Sequence, residues 1–565
     1  MKRFRLIAVL LLAVCALGRA HAQTLLEQQA QALVDAKQWQ QTIDLLTPVS
    51  SRSAEMDFLL GTALAKSDRW DEAATAFDAG RRLSPHEARF SVELAGVRFH
   101  QKRYSDAAHL LRRARTLDSA DQYTRDFLAT VYLLEGNAPA AIQQWNRIGK
   151  PQLAAVHTPA DLRTAPALLD RAFAFAPASQ LKLNAWYDTQ TRLDGLDVLS
   201  PFHLSLAARD DGRFDAELTA QERNGIGNSR WALAAMLITL PFENVRLEYN
   251  NLHGNAINLS AFYRWDAQKR RVEAEISAPF ERRAELRTRA ALELRDENWI
   301  VRDSFTGAAP ALGSTNLRRE AVDLGLNSFA HERLRWSAGV ELSHRDFRSV
   351  DLGSALTPEM LAKGYALKPH LGAASTLLRL PEHRFRIDAD AESETGRLWS
   401  ASPETFEKLR GTLGWRWLPQ AQGDTYELSH TLRAGRAWGT VPFDELAMLG
   451  LERDNDLDLR AHIGTRDGRK GSAPLGTNFV LTNFDLQRKF FSKGMVTVHA
   501  GPFVDAGAIS GPGALGSHQW LCDVGGEARL RVLGRGVALS YGRDTRTGNN
   551  AFYITVLAAR SGNDD

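Results

Sequence analysis

Hydrophobic and polar residues follow two different periods along this chain. Between Gln23 and Lys150 apolar and small residues return at helical spacing. From residue 228 to about 560 they alternate with polar residues at every second position. The stretch 151–227 passes from one pattern to the other. A helical array, a short α/β unit and a long series of strands are therefore predicted, in that order.

The helical part repeats itself. Leu60-Gly61, Ala73, Phe77 and Pro85 form one set, and adding 34 gives Leu94-Ala95, Ala107, Leu111 and Ser119. A second step of 34 gives Leu128-Ala129, Ala141 and Trp145. Trp70 and Tyr104 open the second helix of the first two units, and Trp39 and Pro48 mark a degenerate earlier unit. This pattern resembles the tetratricopeptide repeat, in which small residues let paired helices approach and large ones fill the space between units. The resemblance implies a concave groove for peptides or partner proteins. Arg112, Arg113 and Arg115 read as a solvated face.

Gly149-Lys150-Pro151 ends the repeats. A short strand (QLAAVHT) follows, then helical stretches at Leu162 to Phe175 and Leu181 to Leu193, then a hairpin turning at Asp211-Gly212. With Leu196, Leu199 and Phe202 before the hairpin and Glu222-Arg223 after it, this order resembles the polypeptide-transport-associated (POTRA) domain. In that family the domain adds a client strand to its sheet edge.

About sixteen alternating runs follow, beginning near Arg230, Asn244, Ala256, Arg270, Glu285, Leu317, Leu334, Tyr365, Arg384, Thr405, Thr425, Thr477, Met495, Leu521, Gly536 and Ala551. In one of them Leu286, Thr288, Ala290, Leu292 and Leu294 interleave with Arg287, Arg289, Ala291, Glu293 and Arg295. A sandwich would bury the apolar face; a membrane barrel turns it to lipid and encloses the charges. Connections after even-numbered runs are short (FERRA, AHER, LPEH, FSKG, LGRG). Several after odd-numbered runs are long: Asn298 to Asn316, Arg348 to Gly364 and Thr440 to Gly476. Short turns on one rim, long loops on the other and an even strand number predict a 16-stranded antiparallel transmembrane β-barrel. Closure also removes exposed sheet edges.

Composition narrows the setting. Met1 to Arg5 is basic, Leu6 to Leu17 is apolar, and Ala20-His21-Ala22 ends the run, as in a cleaved secretory signal covering 1–22. Beyond it Cys522 is the single cysteine, so no intrachain disulfide is expected. No later run reaches the roughly 18 apolar residues of a membrane helix. The net charge of +3, from 70 basic and 67 acidic residues, argues for no particular partner, and no nucleic-acid partner is expected. A mean hydropathy of -0.30 is compatible with a barrel whose lumen is polar. The expected domains are 1–22 signal, 23–150 repeats, 151–227 POTRA-like, 228–560 barrel and 561–565 polar tail.

The stretch Leu459 to Gly507 carries the clearest signature. Leu459-Arg460-Ala461-His462 sits in the longest outer loop, after the eleventh run, and Phe503-Val504-Asp505-Ala506-Gly507 sits on the thirteenth. The chain resembles the BamA/TamA superfamily of outer-membrane assembly and translocation proteins. Their sixth outer loop carries V/L-R-G-F/Y into the lumen, and their thirteenth strand carries F-x-D-x-G. The strand motif matches at Phe503, Asp505 and Gly507; the loop motif departs at Ala461 and His462. An Arg in a low-dielectric lumen needs a carboxylate, and Asp485 and Asp505 share the lumen-facing phase. The expected pairing is Arg460 with Asp505, Asp485 or both, with Arg466 as a rival loop residue. The last run has no terminal aromatic residue and ends in a polar tail.

No catalytic set stands out: GxSxG, HExxH, P-loop and CxxC patterns are absent and the histidines, His462 among them, are isolated. A non-enzymatic protein without catalytic, metal or cofactor-binding residues is expected. The resemblance implies insertion or translocation of client polypeptides in the outer membrane, with repeats and POTRA-like unit in the periplasm, lipid around the barrel and partner proteins alongside. The alternative is an export channel for a polysaccharide or a surface lipoprotein. An unplugged lumen would favour it.

Overall fold

The computed structural model describes residues 23–226, 236, 237, 240, 243–302, 304, 309–400, 404–420, 425–493, 496–517, 519–532 and 535–557. The expected signal and polar tail lie outside these residues. The chain forms two compact units that divide between Pro151 and Gln152.

The first unit is a stack of helix pairs. Its helices are α1 (described over 23–35), α2 (Trp39–Leu46), α3 (Ala54–Lys66), α4 (Trp70–Leu83), α5 (Ala88–His100), α6 (Tyr104–Leu117), α7 (Gln122–Leu134) and α8 (Ala138–Trp145). Side-chain caps start three of them: Ser53 accepts from the Met56 N–H, Asp121 from Tyr123 and Thr124, and Asn137 from Ala140. The turn inside each of the last three pairs puts one residue in the left-handed region, at Asp68, Lys102 and Gly136, so the 34-residue period extends to the backbone there. The predicted small and large positions are buried, among them Ala73, Phe77, Leu94, Ala107, Leu111, Leu128, Ala141 and Trp145. Gly61 explains why smallness matters: a Cβ there would lie 2.7 Å from the Phe77 ring.

The second unit begins with β1 (Leu153–His157), α9 (Pro166–Ala172), α10 (Leu183–Leu196), β2 (Leu199–Ala208) and β3 (Phe214–Glu222), in the sheet order β1-β3-β2. Strand β1 runs parallel to β3, and β2 pairs with β3 as a hairpin. The hairpin turns through Gly212 at φ 76°, and the Asp211 carboxylate accepts from the Arg213 N–H.

Ten long strands then run in sequence: β4 (Asn244–Leu252), β5 (Ile257–Trp265), β6 (Lys269–Pro279), β7 (Leu286–Val301), β8 (Gly313–Ser328), β9 (Arg335–Asp351), β10 (Gly364–Leu380), β11 (Phe385–Trp399), β12 (Glu404–Trp417) and β13 (Tyr426–Gly439). A long loop holds the two-residue strands β14 (Ala447–Met448), β15 (Thr465–Arg466), β16 (Arg469–Lys470) and β17 (Leu475–Gly476). Five more long strands complete the wall: β18 (Asn478–Lys493), β19 (Val496–Ser510), β20 (Leu521–Val532), β21 (Arg535–Asp544) and β22 (Asn550–Leu557). Successive wall strands are antiparallel, β13 pairs directly with β18, and the sheet closes into a barrel.

Fifteen of the sixteen predicted runs are these strands. The first, from Arg230, lies almost wholly outside the described residues, and its described members Met236, Leu237 and Leu240 sit in helical turns rather than a strand. Two outer loops are also shorter than their polar residues implied. Strands β7 and β9 continue to Val301 and Asp351, because ladder hydrogen bonds persist past the end of the apolar alternation.

The two phases face as a membrane barrel requires. Leu292, Leu294, Val322, Leu324, Leu342, Leu371, Leu409 and Val504 are exposed on the outside, while Arg287, Arg319, Arg345 and Asp505 are buried within. Exposed aromatics stand near both rims: Trp336, Trp417 and Phe490 at one, Tyr365, Trp399 and Trp438 at the other. No helix among the described residues is long and apolar enough to cross a membrane.

The α/β domain is joined to one rim by named contacts. Glu222 accepts from the N–H groups of Arg163 (2.6 Å) and Thr164 (2.7 Å) and from Asn224 and the β4 residue Asn251. Arg287 of β7 donates to the carbonyls of Gly195 and Leu196 at the end of α10. The Arg379 guanidinium lies 4.0 Å from the Tyr187 ring centroid. The long loops occupy the opposite rim.

Candidate lumen site

Residues 440–477 link β13 to β18. Strands β14 and β17 pair at the base of this loop, and β15 and β16 form a hairpin in which Lys470 pairs with Trp299 of the wall. Between them the chain folds tightly on itself. Asn455 Nδ2 donates to the carbonyls of Met448 (2.8 Å) and Gly450 (2.6 Å), and the N–H of Leu451 donates to the His462 carbonyl. Leu449, Leu457 and Leu459 pack against Phe479, Leu481 and Ile509. That apolar contact sets the next residue, Arg460, against the wall.

Arg460 is buried and fully engaged. Its Nε donates to Asp505 Oδ2 at 2.8 Å and its Nη2 to Oδ1 at 2.6 Å, a two-point grip on one carboxylate. Nη1 donates to Asp485 Oδ1 at 2.7 Å and stands 3.5 Å from Glu527 Oε2. The guanidinium carbon lies 3.7 Å from the Phe503 ring centroid, a cation–π contact. Burial by itself lowers the Arg460 pKa, but the hydrogen bonds and charge of Asp505 and the charge of Asp485 outweigh it and hold it above its ordinary value. Two residues away, burial pushes the Asp458 carboxyl up to about 7 despite the opposing charges of Arg460 and Arg433.

The register explains why the wall needs this loop. Asn483, Asp505, Asp523 and Asp544 are directly opposite one another across β18, β19, β20 and β21. Carboxylates in such a row repel unless donors intervene. The donors come from three consecutive loop residues. Arg460 takes Asp505, the Ala461 N–H donates to Asp523 Oδ2 at 2.6 Å, and His462 Nδ1 stands 3.1 Å from the same oxygen. Asn483 completes the row, donating to Asp505 Oδ1 and to the Asp458 carbonyl, each at 2.8 Å.

The sequence-predicted residues are thus distributed as follows. Arg460, Asp485 and Asp505 come together, and Phe503 lies under the guanidinium. Gly507 keeps open a place where a Cβ would lie 3.2 Å from Leu449 Cδ1. Arg466 is in the β15–β16 hairpin, 3.7 Å from its neighbour Asp467. His462, read as isolated, is buried against Asp523 with Asp544 at 3.9 Å from its Nε2. Ala461 takes the place of a glycine at a position whose φ is not positive, so its Cβ brings no left-handed strain. Asp523, Glu527 and Asp544 were missed. The visible signal was a polar phase on β20 and β21, but their alignment with Asp505 depends on strand register.

The loop also reaches other arcs of the wall. Lys470 pairs with Glu297 of β7 (2.8 Å) and with Asp454 of the loop (2.9 Å). Arg264 of β5 and Arg271 of β6 reach Asp454 at 3.1 and 2.6 Å. Above these pairs Phe347, Leu356, Met360, Phe443, Met448, Leu475 and Leu515 form an apolar cluster among the long loops. No group of three or more His, Cys, Asp or Glu suited to a metal ion occurs among the described residues.

A tetratricopeptide repeat family model matches residues 58–122. No curated protein matches the chain. Among solved structures the chain is similar to MamA (residues 41 to the end) from Desulfovibrio magneticus RS-1, with 16% identity over 22% of this chain and 71% of that one and a TM-score of 0.21. It is similar to CdiB from Escherichia coli, with 16% identity over 72% of this chain and 75% of that one and a TM-score of 0.46. It is likewise similar to BamA from Haemophilus ducreyi lacking POTRA domains 1–3, with 12% identity over 72% of this chain and 84% of that one and a TM-score of 0.41.

Proposed function

We propose that this protein inserts client polypeptides into, or moves them across, the bacterial outer membrane. The observation that carries the reading is the Arg460 tip, held inside the barrel by Asp505, Asp485 and the Asp523 carboxylate. A loop that returns into the lumen and completes a row of wall carboxylates is a built plug. In this reading the signal directs export, and the helical repeats and the POTRA-like unit stand in the periplasm and capture the client. The barrel seam between the first and last runs then opens, and a client strand pairs with the freed edge. Its closure into a hydrogen-bonded barrel supplies the driving force, so no nucleotide is required. The partners are unfolded polypeptides, accompanying periplasmic or outer-membrane proteins and lipid, with neither nucleic acid nor cofactor and without enzymatic chemistry.

The export-channel reading needs an open lumen. Loop residues pair with β5, β6 and β7 on one arc and with β18, β19 and β20 on another, so a polymer would have to displace the loop. The test is depletion of the protein, followed by comparison of outer-membrane barrel proteins, surface lipoproteins and exported polysaccharide. Loss of one or more barrel or translocated proteins is expected. Loss of polysaccharide export with every protein unchanged would overturn the reading.

A further inference from the structure

The long loop carries charge of opposite sign at two places. Its tip, Arg460 to His462, is basic and meets the acidic arc of the wall. Its first turn, Phe443 to Glu445, is acidic and meets a basic arc several strands away. Asp444 lies 2.9 Å from Arg345 Nη1 of β9 and 3.2 Å from Arg319 Nε of β8. Glu445 lies 2.8 Å from Lys408 Nζ of β12, 3.2 Å from Lys368 Nζ of β10 and 3.4 Å from Arg345 Nη2. The two carboxylate side chains are 1% and 5% exposed, and Arg345 is 0% exposed.

This arc of the wall is charge-incomplete without the turn. Four cations, Arg319, Arg345, Lys368 and Lys408, converge there. The wall's own carboxylates within reach are Glu341, 2.5 Å from Arg319, and Glu394, 2.8 Å from Lys408. Glu293 also touches Arg319 but is shared with Arg271 and Arg295. Asp444 and Glu445 supply the two missing negative charges. Leaving such cations buried and unpaired is costly. Apolar contacts fix the turn as well: the Phe443 ring lies 5.1 Å from that of Trp299 and 6.4 Å from that of Phe347, and its N–H donates to the Met360 carbonyl.

We propose that Asp444 and Glu445 are positioning residues that anchor the loop in the lumen independently of Arg460, so that freeing the Arg460 tip alone does not release the plug. The proposal rests on the reading of this loop as a lumen plug, but not on the nature of the client. Two tethers on one strap act as linked binding sites: while one holds, the other rebinds at high effective concentration.

The experiment uses the full-length chain in outer-membrane vesicles. Ile463→Cys in a Cys522→Ser background reports loop release through its rate of labelling by a membrane-impermeant maleimide. Arg460→Ala alone, and Asp444→Asn with Glu445→Gln alone, are each expected to raise labelling only a few-fold. The triple variant is expected to exceed either by more than about tenfold, as loss of both tethers predicts. The wall-side pair Lys368→Gln with Lys408→Gln removes the lysine contacts of Glu445 without touching the loop and leaves Asp444 on Arg345 and Arg319. It is expected to raise labelling in the same direction as the Asp444 and Glu445 variant, by less, and it stands in for that variant should the latter fail to assemble. Labelling as fast in Arg460→Ala as in the triple variant would overturn the proposal. So would an Arg460→Ala rate left unchanged by adding the acidic-turn or wall-side substitutions. Client assembly measured alongside separates the two readings: an assembly defect absent in every variant sinks the proposed function and leaves the anchor standing.

Discussion

Arg460 holds Asp505 at two points, Nη2 to Oδ1 at 2.6 Å and Nε to Oδ2 at 2.8 Å, and so fixes both the position and the direction of a loop 45 residues upstream. A planar fork achieves this where a point charge does not. Arg460→Lys keeps the charge and loses the fork, and Asp505→Asn keeps the shape and loses the charge. Each is expected to cost about 3 kcal/mol at the tip contact, the order of breaking a buried ion pair, while the acidic turn keeps the loop in the lumen. Reconstituted client insertion should fall by at least about tenfold in both, the equivalent of about 1.4 kcal/mol. Full activity in either would remove the pair from the mechanism.

Asp458 makes the seating sensitive to pH. Its carboxyl is pushed up to about 7 by burial beside Arg460 and Arg433, above an unfolded value of roughly 3.9. A raised carboxyl contributes stability that is complete below the unfolded value and is lost as pH rises through the folded one. Loop release, followed with the Ile463→Cys probe, is therefore expected to increase between about pH 4 and pH 7. Asp458→Asn should flatten the profile at its low-pH level. A profile identical in both proteins would show that another group titrates.

Glu222 ties the α/β domain together through the backbone N–H groups of 163 and 164 and joins it to the barrel through the Asn251 amide. Burial acts to raise its pKa, but hydrogen bonds from Thr164, Asn224 and the two backbone N–H groups hold it below its ordinary value. Its contribution is present above the unfolded value of roughly 4.3 and is lost as pH falls through the lower folded one. Glu222→Ala leaves those donors without an acceptor and is expected to cost about 2 kcal/mol. Faster proteolysis within 152–226 at neutral pH is the readout, and wild-type resistance would argue that water or a neighbour replaces the carboxylate.

Gly61 sits where a Cβ would lie 2.7 Å from the buried Phe77 ring. Gly61→Leu is expected to destabilise the helical repeats by about 1–3 kcal/mol, the usual cost of overpacking. Circular dichroism at the helical band should show an earlier melt, with the barrel's heat-modifiable mobility unchanged. An unshifted melt would mean that the helix pair separates at little cost.

The chain by itself determined the elements. Helical period, a 34-residue repeat and strict alternation are local properties, and fifteen of the predicted runs became wall strands because alternation forces one face outward and one inward. The lumen-side phase of Asp485 and Asp505 was legible for the same reason, while Arg460 was singled out from Arg466 by the resemblance of Leu459-Arg460 to the family's loop motif. The run from Arg230 lies almost wholly outside the described residues. What tertiary structure alone decided is which distant groups meet. Strand register aligned Asp505 with Asp523 and Asp544, making a row that needs three loop donors and drawing His462 out of apparent isolation. Barrel closure brought Arg319, Arg345, Lys368 and Lys408 from four strands around Asp444 and Glu445. Such pairings depend on stagger and closure, which are long-range quantities, so no window of sequence contains them.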